Sequence, residues 1–124
     1  MLDLMEENVT EPKNHFSSVS WPEPLSPEGF YGVAGKIIRA IEPHTEADNA
    51  ALLIQLLTAF GNMVGRNSYF VAEADRHHMN LNSLLIGATS KGRKGSSWGQ
   101  ISNPLGKIDE DWLNQCVHSG LSSG

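Results

Sequence analysis

The sequence predicts an α/β chain: an N-terminal helical pair, then the first strands of a parallel sheet and a glycine-rich loop that runs into a further helix. Three observations predict it. Apolar residues recur at helical spacing between Phe30 and Ile41 and again along 50–64. Two short apolar or β-forming runs, 68–74 and 81–86, come next. A basic, glycine-rich stretch, 87–97, follows the second run directly.

The elements justify themselves in order. Residues 1–25 read as a flexible tail, polar and interrupted by Pro12, Pro22 and Pro24, with Trp21 and Leu25 able to dock on the domain. Ser26 is a good N-cap, Pro27 suits a first helical position and Glu28 suits the positive end of the helix dipole. Phe30, Val33, Ala34, Ile37, Ile38 and Ile41 then form one helical face, which Pro43 ends by disfavouring helix at Glu42. Thr45 and Asp48 make a capping-box pattern for a second helix. That helix is apolar on most sides, with a polar stripe through Asp48, Gln55, Thr58 and Asn62, and Gly65 is its expected stop. The runs 68–74 and 81–86 are expected strands, the second buried in the sheet, with 75–80 as their connector. After the loop a helix is expected from about Ser96, interrupted by Pro104 and Gly106, and another over 109–117 with Asp109 as N-cap. The expected division is tail 1–25, helical pair 26–66, and the incomplete start of the loop-bearing core over 67–124.

Composition narrows the classes. A chain of 124 residues supports one modest domain, and 40% hydrophobic with 19% charged residues is ordinary for a globular protein. The net charge of −5 argues against a surface that is basic overall, so any nucleic-acid contact needs a local patch. Cys116 is the single cysteine, which excludes an internal disulfide and any zinc site built on paired cysteines. The acidic start lacks a signal-peptide pattern, and 50–64 is too short and too often broken by polar residues to span a bilayer, so a cytoplasmic protein without a membrane partner is expected.

The chemistry concentrates in one loop. An apolar strand, a glycine-rich turn and a helix start are what a phosphate cradle requires: glycine lets backbone N–H groups approach phosphate oxygens, and the helix end adds partial positive charge. Gly87 follows the apolar run, while Gly92 and Gly95 allow close approach. Lys91, Arg93 and Lys94 supply charge, and Ser96 and Ser97 supply hydroxyls. The expected ligands are ATP and Mg²⁺, with Ser96 reaching the metal and either Lys91 or Lys94 the phosphates. The spacing departs from the usual Gly-x4-Gly-Lys-Ser/Thr: Arg93 stands in the lysine position, and Lys94-Gly95-Ser96 carries one extra residue. A solvated basic turn, or a non-catalytic module whose basic residues 91–94 meet nucleic-acid phosphates, are the competing readings.

From about Leu25 to Gly124 the chain also resembles a family of phage- and plasmid-borne P-loop ATPases of the primase-helicase type. The resemblance is carried by Leu25-Ser-Pro-Glu-Gly-Phe-Tyr-Gly, Pro43-His-Thr-Glu-Ala-Asp, Ala59-Phe-Gly-Asn, Gly65-Arg and Glu73-Ala-Asp-Arg-His. Gly87-Ala-Thr-Ser-Lys-Gly-Arg-Lys-Gly-Ser-Ser-Trp98 and Ser119-Gly-Leu-Ser-Ser-Gly124 extend it, so that it covers roughly four-fifths of the chain. Relatives in that family share the Arg-Lys-Gly ending of the loop. The resemblance implies a RecA-like nucleotide-binding core, DNA-linked ATPase activity of a helicase or replication protein, and a homo-oligomer when complete.

About 27 residues follow Ser97, and no apolar strand ending in Asp or Glu lies among them. The acidic residue that would hold Mg²⁺ and the group that would position water are therefore missing. With the open ending Ser122-Ser-Gly124, this reads as an N-terminal fragment that does not hydrolyse ATP efficiently alone and exposes unpaired strand edges. Other clusters carry less. Adjacent His77 and His78 would point to opposite faces of a strand and share no metal easily. Asp109-Glu110-Asp111 reads as a cap and first-turn charge, and Cys116 as a small core residue.

Overall fold

Ser26 and Pro27 do open a helical turn, but it closes as a single 3₁₀ turn, Pro27–Gly29. The Ser26 side chain makes no cap bond to the turn; it hydrogen-bonds to Glu28, which holds that carboxyl below its ordinary range. The helix proper, α1 (Gly32–Ile41), begins at Gly32 with φ 64°. The approach of that turn to α1 depends on a glycine. A β-carbon at Gly35 would lie 1.9 Å from the Phe30 carbonyl oxygen, so the chain folds back onto α1 only because glycine stands there. Arg39 Nη1 donates to the same oxygen at 2.7 Å. The structure is a computed structural model that describes residues 23–86 and 94–120.

Pro43 ends α1 as expected, in a 3₁₀ turn over Glu42–His44. The second helix, α2 (Asn49–Val64), is capped by Asp48, whose Oδ1 accepts from the Ala51 N–H at 3.0 Å. Thr45 instead accepts from Ala47 N–H at 3.1 Å, so the expected box resolves into two separate local bonds. Gly65 closes α2 at φ 67°, its N–H reaching the carbonyls of Gly61 and Asn62.

The parallel sheet is overturned. Strand β1 (Tyr69–Ala72) pairs antiparallel with β2 (Asp75–His78), with Tyr69 opposite His78 and Phe70 opposite His77. Among the described residues this hairpin is the whole sheet. The expected connector 75–80 thus supplies a strand, and the run 81–86 supplies none. The reason is chain length. A parallel pair needs a crossover of roughly a dozen residues or more, whereas two residues, with Glu73 at φ 55°, connect β1 to β2. Residues 79–83 pack on α2 instead. Met79 comes so close that a β-carbon at Gly61 would lie 2.0 Å from its carbonyl oxygen, and Ser83 Oγ meets Thr58 Oγ1 at 3.0 Å. Leu85 is half-buried, while Leu84 and Ile86 are exposed.

Helix α3 (Lys94–Ile108) runs through Pro104 rather than stopping at it. Pro104 is exposed, so the carbonyl deprived of its partner lies on the side open to water. Gly106 marks a close approach, since a β-carbon would sit 2.5 Å from Leu113 Cδ2 of α4 (Glu110–Cys116). Asp109 caps α4 as predicted, accepting from Trp112 N–H at 2.8 Å, and Glu110 and Asp111 occupy its first turn. The core gathers Ile38 of α1, Leu52, Leu53, Leu56 and Ala59 of α2, Ile101 of α3 and Trp112 of α4. It therefore joins residues from both sides of position 67, around α2. Among the described residues no helix is long and apolar enough to cross a membrane.

Candidate functional site

The predicted loop residues divide sharply. Gly87, Lys91, Gly92 and Arg93 lie outside the described residues, and Lys94 and Gly95 open α3. Ser96 is exposed on its first turn and lines a cleft of about 420 Å³ with Pro43, His44, Thr45, Glu46 and Gln100. Ser97, one residue on, turns inward: it is 2% exposed, and its Oγ accepts from Gln55 Nε2 at 3.0 Å. The two hydroxyls are thus in different surroundings, one facing water and one set into the core. The start of a 15-residue helix carries partial positive charge there.

The polar stripe of α2 makes a second constellation, one that sequence reasoning noticed but did not assign to a site. Gln55 is buried; its Nε2 is used by Ser97, and its Oε1 is buried without a partner. Such an oxygen costs about 1–3 kcal/mol unless something donates to it. Thr58 donates its proton to the Ile54 carbonyl at 2.7 Å, so in its contact with Ser83 it must accept, and the lone pairs of Ser83 remain the outward-facing acceptor. Asn62 Oδ1 accepts from Trp112 Nε1 at 2.7 Å, leaving its amide N–H groups as donors. These residues line a cleft of about 360 Å³ between α2, α3 and α4, with Ala59, Trp98, Trp112, Cys116, Val117 and His118. Cys116 is exposed on this wall, which corrects its expected place in the core. The signal in the sequence was the spacing 55, 58, 62, which puts three polar residues on one stripe of an apolar helix. Nothing in that spacing says that Gln55 is buried while Thr58 is half-buried and Asn62 exposed.

The hairpin carries a third group. Antiparallel pairing sets Phe70 and His77 on one face, and Tyr69, Val71, Arg76 and His78 on the other. The Arg76 guanidinium lies 4.7 Å from the Tyr69 ring centroid, and His78 meets the same ring edge-on at 5.8 Å. The two histidines stand in a strand rather than a loop, and they diverge. Among the described residues no three His, Cys, Asp or Glu side chains gather closely enough to hold a metal.

No family model, curated protein or solved structure matches this chain.

Proposed function

We propose that the chain binds the phosphates of ATP through 87–97, within a DNA-linked ATPase of the phage and plasmid kind that its motifs resemble. One observation supports this most: the basic, glycine-rich stretch runs directly into the first turn of α3, which begins at Lys94. In this reading Gly87, Gly92 and Gly95 let backbone N–H groups close on the phosphates, and Lys94 neutralises them. Lys91 and Arg93 add charge, and the exposed hydroxyl of Ser96 reaches Mg²⁺, which would screen the phosphate oxygens when bound. Ser97, occupied by Gln55, supports the site by fixing the first turn of α3 to α2.

Calorimetric titration with Mg²⁺–ATP tests it on the wild-type chain, Lys94→Ala and Lys91→Ala. Lys94→Ala is expected to bind at least ten-fold more weakly, about 1.4 kcal/mol, with a smaller loss in Lys91→Ala. Equal affinity in wild type and Lys94→Ala would remove Lys94 from the role, and no heat from the wild type would reject the reading.

A second reading is favoured by the hairpin, which presents Tyr69, 46% exposed, with the exposed Arg76 guanidinium 4.7 Å from its ring centroid. A base-stacking ring beside a cation suits single-stranded nucleic acid, with the basic residues 91–94 adding phosphate contacts. Affinity for single-stranded DNA should then fall with salt, and Arg76→Ala should flatten the slope of log K against log salt by about 0.7. An unchanged slope would show that Arg76 meets no phosphate.

A further inference from the structure

We infer that the outer stripe of α1 is a docking surface for an acidic, apolar peptide, and that residues 1–11 of this same chain are its occupant.

The surface follows from the period of α1. Gly35 and Ile38 are buried and Ala34 and Ile41 half-buried, so they mark the side of the helix that meets the core. Val33, Ile37 and Ala40 recur at i, i+4 and i+7, which sets them in one stripe beside that side, and all three are exposed. Val33 is 73% exposed, so the stripe is largely uncovered by the described chain. Lys36 and then Arg39, both exposed, follow on the far side of the stripe. From Gly29 to Ile41 there is no Asp or Glu. Glu28 and Glu42 flank the helix, and Glu42 Oε1 already accepts from Asn49 Nδ2 at 2.7 Å. An apolar stripe edged by two cations suits a partner that brings apolar side chains together with carboxylates.

Residues 1–11 have that composition. Leu2, Leu4, Met5 and Val9 alternate with Asp3, Glu6, Glu7 and Glu11, and no Lys or Arg occurs before Lys13. The chain also delivers them to this place. Pro24 and Leu25 share a cleft wall with Glu42, so the preceding segment joins the fold at the C-terminal end of α1. A helix the length of α1 spans about 15 Å, and residues 12–22 can reach roughly 36 Å. Residues 1–11 can therefore turn back along the stripe, carrying their carboxylates toward the positive end of the helix. Tethering raises their effective concentration to roughly millimolar. A second copy fits less well, because two α1 stripes facing each other about a twofold axis would set Lys36 and Arg39 against the same cations.

Carbodiimide coupling, which joins a carboxylate to an amine only where the two touch, tests this on the full wild-type chain. Mass spectrometry after proteolysis is expected to find residues 1–11 joined to Lys36 at least five-fold more often than to Lys107, an exposed lysine of α3. In a mixture of unlabelled and ¹⁵N-labelled chains, those bridges should lie within single chains. Val33→Ser, and separately Leu4→Ser with Met5→Ser, keep every charge, and each should lower coupling to Lys36 at least three-fold while the chain stays folded by circular dichroism. Should Val33→Ser unfold, the Leu4→Ser, Met5→Ser variant decides. Coupling to Lys36 no more frequent than to Lys107 would overturn the proposal. Bridges between labelled and unlabelled chains would overturn it in favour of a second copy, and yields unmoved by the serine variants would leave no docking on the apolar stripe.

Discussion

Replacing Leu52 by alanine is expected to remove about 2–5 kcal/mol of stability, the usual cost of cutting a fully enclosed leucine back to its β-carbon. Leu52 has no exposed surface, and with Ile38 and Ile101 it is one of the three largest fully buried side chains, each from a different helix. The void would therefore open where α1, α2 and α3 meet, and no single helix can move to fill it. Small domains are typically stable by about 5–15 kcal/mol in all, so the loss would be a large share. A urea melt should show a lower midpoint with an unchanged slope. Leu57→Ala, on the same helix but 41% exposed, should cost well under half as much. Equal losses at both positions would mean that α2 does not bury the face described.

Gly61→Ala is expected to destabilise the chain by about 1–3 kcal/mol, the range for overpacking, although alanine favours a helix over glycine by about 1 kcal/mol. The new β-carbon would meet the Met79 carbonyl oxygen at 2.0 Å, and backbone cannot swing aside as a side-chain tip can. Residues 79–83 must lift from α2, which also strains the contact of Ser83 with Thr58. The expected result is a lower melting temperature and faster hydrogen exchange along 79–83. A variant more stable than wild type would show that this segment does not sit on α2.

The helices were legible in the sequence because their signals are local. Asp109 with its following acidic residues, Pro43 and Gly65 each act within one turn, and each does what its type predicts. Strand β1 was legible too, inside the expected run 68–74, but β2 was not, because it is Asp-Arg-His-His, four polar residues held by pairing to β1 and by the Tyr69 ring rather than by burial. The apolar run 81–86 misled for the opposite reason: its pattern suits a buried strand, yet Leu85 is only half-buried and Leu81, Leu84 and Ile86 are exposed. Pro104 shows that a residue's intrinsic dislike of a helix interior yields when flanking turns are anchored, here by Ile101 in the core and Gly106 against α4. At the site, residue types pointed to the stretch at the start of α3. They could not show that Ser96 and Ser97 part company, or that the α2 stripe turns toward two indoles, because both depend on where α3 and α4 return.

That return has a consequence for how the chain tolerates change. The bonds that tie α3 and α4 to α2 bridge long intervals, 42 residues from Gln55 to Ser97 and 50 from Asn62 to Trp112. The hairpin and the run after it lie inside those closures, and no residue of either belongs to the central cluster. Closing a flexible loop twice as long costs only about 0.6 kcal/mol more. The hairpin, 69–78, is accordingly where this architecture admits inserted or deleted residues most cheaply, leaving the register of its helices intact.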